Sequence, residues 1–404
     1  MNKDSKSVMS ENKPLFEVYS HHLESGLRSI PVGYCVTSQV DPTTGLYYCS
    51  SPVSSLTHYS PCEVIYLLLE GHLPSKKELS TFQDKLKTYS SLPPALVEHI
   101  RQLPRSGHPM KMLSSALLLH AMVEEPGNTN EEIKQDLFKV IARIPQICAH
   151  IINHHGGFGP TPALDMEKGY IEQFTELLNI PNKSDDFIEV MRLFNILHYD
   201  HGGGNLSCFT GKVVASGHED LWGALSASMS ALAGPRHGKA NQDCLAQVQE
   251  LHHLLGTSYS KKNLTSLLRK RLVEKKLLYG FGHAVLRVED PRATIFYHVA
   301  QKNSPNDPLV KLALDLRQEG TAVLKENPKI ANPYPNVDAI SGVLLHSCGF
   351  KYPEYYTLLF GMSRIVGIAI QVCYDRFYAR EGKGTVIVRP KFLYKDRGSA
   401  SFLK

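Results

Sequence analysis

The chain is expected to be mainly all-α, with more than a dozen helices. Apolar residues recur at helical spacing in one segment after another from about Pro61 onward. Few convincing strand patterns occur after residue 60. The 42% hydrophobic and 21% charged fractions are ordinary for a soluble globular protein and argue against disorder.

The elements follow in order. Residues 1–60 read as loop and strand, with β-prone pieces at Gly26–Val32 and Gly45–Cys49 interrupted by Pro and Ser. Cys62–Glu70 carries a dense apolar block, and Gly71 with Pro74 supplies its stop. Lys76–Tyr89, Pro94–Gln102, Met110–Val123, Asn130–Ile152 and Asp186–His198 each repeat the helical period. Leu221–Ala233 is rich in Ala, Ser and Gly, which allows close backbone approach and predicts an interior helix. Gly234-Pro235 ends it, and a further helix is expected from about His237 to Leu255. Tyr355–Arg380 is apolar around most of its circumference and is expected to be buried.

At 404 residues the chain suits one large domain with a smaller one, or two comparable ones. A net charge of +5 without a long basic run argues against nucleic-acid binding and fits a locally basic pocket for an anionic ligand. The eight cysteines are scattered singly with no CxxC pair, as reduced thiols would be, and form neither a disulfide framework nor a zinc cluster. No segment is expected to span a membrane. The most apolar stretch, Ile365–Cys373, is about half of a ~20-residue span, with Arg364 and Asp375 flanking it. The first residues mix Lys3, Asp4, Lys6 and Glu11 without an apolar block, so no secretory signal or mitochondrial presequence is expected. The expected compartment is the cytoplasm of a prokaryote.

Three glycine- and proline-punctuated segments each present one acid–base group: His237 in Gly234–Gly238, His283 behind Gly280 and Gly282, and Asp338 after Pro335-Asn336-Val337. Two imidazoles and a carboxylate are what moving protons around a carbonyl requires near neutral pH. Each also has a duller reading. His237 can be a packing histidine at a helix start. In the functional reading, the helix dipole keeps its imidazole neutral. His283 can be a turn residue, but Arg287 and Arg292 beside it suit recognition of carboxylate or phosphate. Asp338 can be the N-cap of a helix over Ala339–His346, a role that competes with service as a general base.

His198 and His201, before Gly202-Gly203-Gly204, can be read as a metal pair or as a helix end with His201 facing an anion. No third ligand follows at a familiar spacing, so no metal is expected. Arg364, inside an apolar helix, must be paired or face a ligand. Arg389 reads as surface.

Taken together, the segments resemble the citrate synthase family. The likeness is strongest over residues 151–394 and rests on blocks in the family's order. They are His198–Asn205, Leu232–Asn241, Gly280–Arg287, Asp290-Pro291-Arg292, Pro335–Leu345, Gly361–Gly367 and Arg389-Pro390-Lys391. The resemblance implies a multi-helical fold with a large and a small domain around an interdomain cleft. Residues 1–238 and 344–404 would form the large domain, and 239–343 the small one.

It also implies the condensation of acetyl-CoA with oxaloacetate and hydrolysis of citryl-CoA, with 2-methylcitrate synthesis from propionyl-CoA as the alternative. A catalytically silent metabolite-sensing relative is the more distant alternative. Asp338 would be the base, His237 would face the thioester oxygen and His283 the keto oxygen of oxaloacetate. His201, Arg292 and Arg364 would hold oxaloacetate, with Arg389 arriving from the partner of a homodimer. Arg287 would meet CoA phosphate, and the backbone around Leu277, Gly280 and Gly282 would line the adenine. No permanently bound cofactor and no metal are implied.

The chain departs from the family pattern at Gly202, where Glu is usual, and at Arg236, where Leu is usual. Tyr48–Pro52 stands in place of a Tyr-Arg-Gly-Tyr motif, and the spacing from Arg364 to Arg389 is long.

Overall fold

The computed structural model describes residues 14–398. The chain divides into two compact units between Cys35 and Val36. The described part of the first unit contains a 3-10 turn, Ser20–Glu24, and irregular chain. The expected strand at Gly26–Val32 does not form. Gly26, Leu27 and Ser29 take positive φ of 64°, 62° and 65°, and left-handed residues break an extended run.

The second unit opens with a small antiparallel sheet, β1 (Ser38–Asp41), β2 (Gly45–Tyr48) and β3 (Ser51–Pro52), with Ser38 opposite Tyr48 and Tyr48 opposite Ser51. This is where the β-prone Gly45–Cys49 piece lies. Asp41 makes the hairpin turn, its Oδ1 accepting the N–H groups of Thr43 and Thr44 at 2.8 Å each.

Fifteen helices follow among the described residues. The first seven are α1 (Pro61–Glu70), α2 (Lys76–Tyr89), α3 (Pro94–Gln102), α4 (Pro109–Val123), α5 (Asn130–Gly156), α6 (Tyr170–Leu177) and α7 (Phe187–His198). Next come α8 (Leu206–Ser216), α9 (Leu221–Leu232), α10 (Ala240–Leu255) and α11 (Lys261–Val273). The last four are α12 (Pro291–Asn303), α13 (Pro308–Lys325), α14 (Asp338–Ser347) and α15 (Tyr356–Gly382).

Local chemistry explains many of the boundaries. Ser60 with Glu63, Ser75 with Glu78 and Thr129 with Glu132 form reciprocal capping boxes that start α1, α2 and α5. Gly71 and Gly157 take left-handed φ of 80° and 69° and end α1 and α5. Pro145 lies inside α5 and has no N–H for the carbonyl of Ile141. The Tyr170 hydroxyl donates to that carbonyl at 2.8 Å, so α6 supplies the bond the proline cannot.

α15 is the central helix. It is buried from Tyr356 to Leu359 and again from Gly361 to Cys373, and its helical geometry is lost at Ala379. With the preceding 3-10 turn it is long and apolar enough to cross a membrane by length and composition, yet 94% of its most apolar window is buried inside the protein. A core helix of a large domain has the same signature. α9 lies in the interior as its composition predicts, with Trp222, Leu225, Met229 and Leu232 fully buried. A Cβ on Gly211 of α8 would come within 2.2 Å of Ser228 Oγ on α9, so these two helices approach backbone to backbone.

Helices α10–α14 pack chiefly on one another, and α14 runs past residue 343 to Ser347. The sheet leans on this group. A Cβ on Gly45 would lie 2.5 Å from Pro291, the first residue of α12, and the Arg287 N–H donates to Pro42 O at 2.8 Å.

Candidate active site

The loop before His283 and the loop before Asp338 are zipped together. Phe281 and Pro335 form an antiparallel bridge, Gly282 N donates to Tyr334 O at 3.0 Å and Asn336 N to Gly280 O at 2.8 Å. Asn336 closes the junction through its side chain. Its Nδ2 donates to Gly282 O at 2.9 Å and its Oδ1 accepts Asp338 N at 3.0 Å. Gly280 makes this approach possible. Its φ is +83°, and a Cβ there would sit 2.6 Å from Ala339 Cα. Gly280→Ala is therefore expected to displace the start of α14 and lower kcat by about 100-fold, because small misplacements of a reacting group cost that much. Steady-state turnover, with circular dichroism to confirm folding, checks this.

Asp338 is the first residue of α14 and does not cap it. Val337 holds the N-cap position and no side-chain capping bond is made. Burial pushes the Asp338 carboxyl up to about 6; Asp290 adds to the rise, while Arg292 and Arg364 oppose it. A carboxylate held this way is a stronger base than an exposed one.

His237 is not at the start of a helix as expected. α10 begins three residues later at Ala240, because Gly234–Gly238 is a turn in which His237 N donates to Gly234 O at 2.9 Å. The imidazole instead meets the N-terminus of α8. Ser207 N donates to His237 Nε2 at 3.2 Å, and Ser207 Oγ lies 3.0 Å from the same nitrogen. With Nε2 accepting, the ring proton belongs on Nδ1. Burial, aided by Arg364, lowers the imidazole to about 4, so it is neutral at physiological pH.

His283 is fixed in the opposite sense. Its Nδ1 accepts Val285 N and Leu286 N, each at 3.0 Å, which leaves the proton on Nε2. Burial and then Arg292 lower it to about 4 as well. Each ring is thus a neutral imidazole with one N–H to give.

Three basic groups join them. His201 lies beside His283, with ring centroids 5.2 Å apart, and burial together with Arg292, Arg364 and His283 holds its pKa far below the ordinary value. Arg292 is buried in a two-point pair with Asp290, Nε to Oδ1 at 3.0 Å and Nη2 to Oδ2 at 2.7 Å, and Asp290 keeps it protonated despite its burial. Arg364 donates through Nε to His198 O at 2.9 Å and lies 4.7 Å over the Phe360 ring. Burial, with Arg292 adding repulsion, lowers Arg364 to about 10. A dianion placed here would relieve that repulsion.

Several supports are not evident from the sequence alone. Asp200 Oδ1 accepts His201 N and Gln371 Nε2, both at 2.8 Å, and Thr37 donates to its other oxygen. Tyr48 is fully buried, with its hydroxyl donating to Ile196 O at 2.8 Å and receiving Asp200 N at 3.2 Å. A Cβ on Gly367 would meet Tyr199 O at 2.2 Å, so this glycine lets the His201 segment lie against α15. Ser207, Asp290 and Asn336 complete the set. The sequence marks Tyr48, Asp200, Asp290 and Asn336 only as members of motif segments, and Ser207 lies outside all of them.

The remaining candidates lie away from this cluster or have other partners. Arg389 is exposed, and Val388 N donates to Ser216 Oγ at 2.9 Å, at the opposite end of α8 from Ser207. The 11 residues of α8 put about 16 Å between those ends. Leu277 is exposed, whereas Gly280 is buried. Arg287 is exposed and folds back through Nη1 onto the carbonyls of Val285 and Leu286, each at 2.8 Å. Gly202 has φ +76° with open space where a Cβ would go, and Arg236 is exposed. His198 is buried, donates through Nδ1 to Phe194 O at 2.7 Å and stacks on Phe194. Among the described residues no group of three His, Cys, Asp or Glu side chains is placed to hold a metal.

Comparison with known proteins agrees with the resemblance. The family model described as "Citrate synthase, C-terminal domain" matches residues 26–391. The chain is 32% identical over 391 residues to citrate synthase 4, mitochondrial, of Arabidopsis thaliana, covering 92% of this chain and 81% of the relative. It is 33% identical over 393 residues to a probable mitochondrial citrate synthase of Glossina morsitans morsitans, covering 92% and 83%. A solved ternary complex of the Thermoplasma acidophilum citrate synthase with carboxymethyl coenzyme A and oxaloacetate superimposes with a TM-score of 0.80 at 25% identity, covering 94% of this chain and 98% of that one. The Thermotoga maritima citrate synthase gives 0.78 at 26% identity, with the same coverage.

The mitochondrial relatives overturn the cytoplasmic expectation. That expectation rested on Lys3, Asp4, Lys6 and Glu11, which lie outside the described residues. With a family match across most of its length and relatives above 30% identity along nearly all of it, the chain belongs to the citrate synthase family.

Proposed function

We infer that this enzyme condenses acetyl-CoA with oxaloacetate and hydrolyses citryl-CoA to citrate and CoA. One observation carries the reading. Two neutral imidazoles, each oriented by backbone N–H groups, accompany a carboxyl raised to about 6.

In this reading Asp338 takes a proton from the methyl carbon of acetyl-CoA. The charge that develops on the thioester oxygen accepts the His237 Nδ1–H, and that stabilisation is what makes so weak a carbon acid reactive. The new C–C bond forms at the keto carbon of oxaloacetate while the charge developing on its oxygen accepts a hydrogen bond from His283 Nε2–H, and the proton taken up by Asp338 passes to that oxygen to give the hydroxyl of citryl-CoA. Water then cleaves the thioester of citryl-CoA, releasing CoA thiol and citrate. His201, Arg292 and Arg364 hold the oxaloacetate carboxylates, and the repulsion between the two arginines favours the dianion. Arg287 meets CoA phosphate, and the backbone around Leu277, Gly280 and Gly282 lies along the adenine.

We place Arg389 in the site of a second subunit of a homodimer, since its own chain holds it at the far end of α8. The group α10–α14, begun at residue 239, acts as the small domain whose closure excludes water during condensation. Purified protein given oxaloacetate and either acyl-CoA is expected to form citrate with a higher kcat/KM for acetyl-CoA than for propionyl-CoA. A higher value for propionyl-CoA would replace this reading with 2-methylcitrate synthesis.

A further inference from the structure

A second concentration of basic side chains lies at the C-terminal ends of α3 and α5. A cavity of about 400 Å³ is lined there by Arg101, Arg105, His150 and His154, with Asn153 and Thr161, and by no carboxylate. No residue of the candidate active site lines it.

Neutralising helix C-termini is one use for basic groups in this position. Two bonds serve it: His154 Nε2 donates to Leu103 O at 2.8 Å and Arg105 Nε to His155 O at 3.3 Å. The rest is left over. The terminal guanidinium nitrogens of Arg105 lie over the Gly157 backbone, where a Cβ would come within 2.3 Å of Nη2. Among the described residues Arg101 pairs only with Glu98, at 3.9 Å and largely exposed. The Thr161 hydroxyl, which accepts from Asn153 Nδ2 at 3.0 Å, keeps its own proton to donate.

We propose that this cavity binds a small polyvalent anion bearing phosphate or carboxylate groups. Two guanidinium groups, whose one carboxylate partner among the described residues is the exposed Glu98, match such groups, and the lining offers no larger aromatic ring on which a nucleotide base could stack. The imidazole of His150 is already lowered to about 4 by burial and then by Arg101, and a bound anion would raise it. His155 connects the site to the fold, since its carbonyl takes Arg105 and its Nδ1 shares a 2.8 Å hydrogen bond with Tyr355 OH, immediately before α15.

The test is calorimetric titration of the full chain with pyrophosphate and, separately, with citrate, at saturating oxaloacetate so that Arg292 and Arg364 are occupied. Both anions are expected to bind the native chain, and R101Q/R105Q to weaken that binding by about tenfold or more. Tighter pyrophosphate than citrate assigns the site to phosphates, and the reverse order to carboxylates. The His150 imidazole resonance, identified by its loss in His150→Gln, is expected to titrate at higher pH when pyrophosphate is present. Unchanged affinity in an R101Q/R105Q variant that melts like the native chain would overturn the proposal. Absence of binding by both anions to the native chain would do the same.

Discussion

Asp338→Asn is expected to lower kcat by about 1,000-fold or more while leaving the KM for oxaloacetate close to native. A positioned base contributes about 10²–10⁴ in rate, and the substitution removes the base while keeping the shape and the bond from Asp338 N to Asn336. Stability should move the other way. The carboxyl titrates at about 6 in the fold against an ordinary 3.8, so the folded state favours the protonated form. Its contribution is fully present below pH 3.8 and is lost as pH rises through about 6. Above that pH the native chain carries a part-buried, under-compensated carboxylate, and Asp338→Asn is expected to melt at a higher temperature. Thermal melts at pH 4 and pH 8 check the sign: the gain should appear at pH 8 and vanish at pH 4.

His237→Ala is expected to reduce kcat by about 100–1,000-fold, the range found when a single oxyanion donor is removed. The loss should fall on the chemical step, because Nδ1–H gains strength only as the thioester oxygen becomes charged. Kinetics with acetyl-CoA varied at saturating oxaloacetate measure it, and most of the loss should be in kcat. Ser207 orients the ring through a backbone N–H that any side chain retains. Ser207→Ala should therefore be far milder. A loss in Ser207→Ala equal to that in His237→Ala would transfer the role to the serine hydroxyl.

The helical character is legible because one face of most helices is buried and the period survives in the sequence. α2 and α3 begin and end where Lys76, Tyr89, Pro94 and Gln102 predict. α6, α8, α11, α12 and α13 are less visible. α11 is rich in Lys and Arg with a narrow apolar stripe, and α12 and α13 open on Asp-Pro caps, Asp290-Pro291 and Asp307-Pro308. From sequence, the first of those caps reads only as a turn carrying charge. As an N-cap, Asp290 puts Arg292 in a first helical turn, where a short reach pairs it with that same carboxylate.

At the site, the identity of the proton carriers is legible and their orientation is not. Nothing near His237 in sequence points to Ser207, because the donor that sets its tautomer comes from a helix thirty residues earlier. The dipole argument is physically sound but belongs to α8, not to α10. Asp338 is open to a capping role, and only the geometry around Val337 and Asn336 separates the two uses. Tyr48 is visible only as part of a departure from the family motif, whereas the fold makes it the support for Asp200 and hence for His201.

The most direct measurement is the pH dependence of oxaloacetate-dependent thiol release from acetyl-CoA by the purified chain. kcat/KM should rise with a single ionisation near pH 6, the deprotonation of Asp338, with no further imidazole step up to pH 9, because both histidines are already neutral. The rise should be absent from the residual activity of Asp338→Asn. No oxaloacetate-dependent thiol release, or a pH 6 step that persists in Asp338→Asn and disappears in His237→Ala, would contradict the assignment of Asp338 as the base.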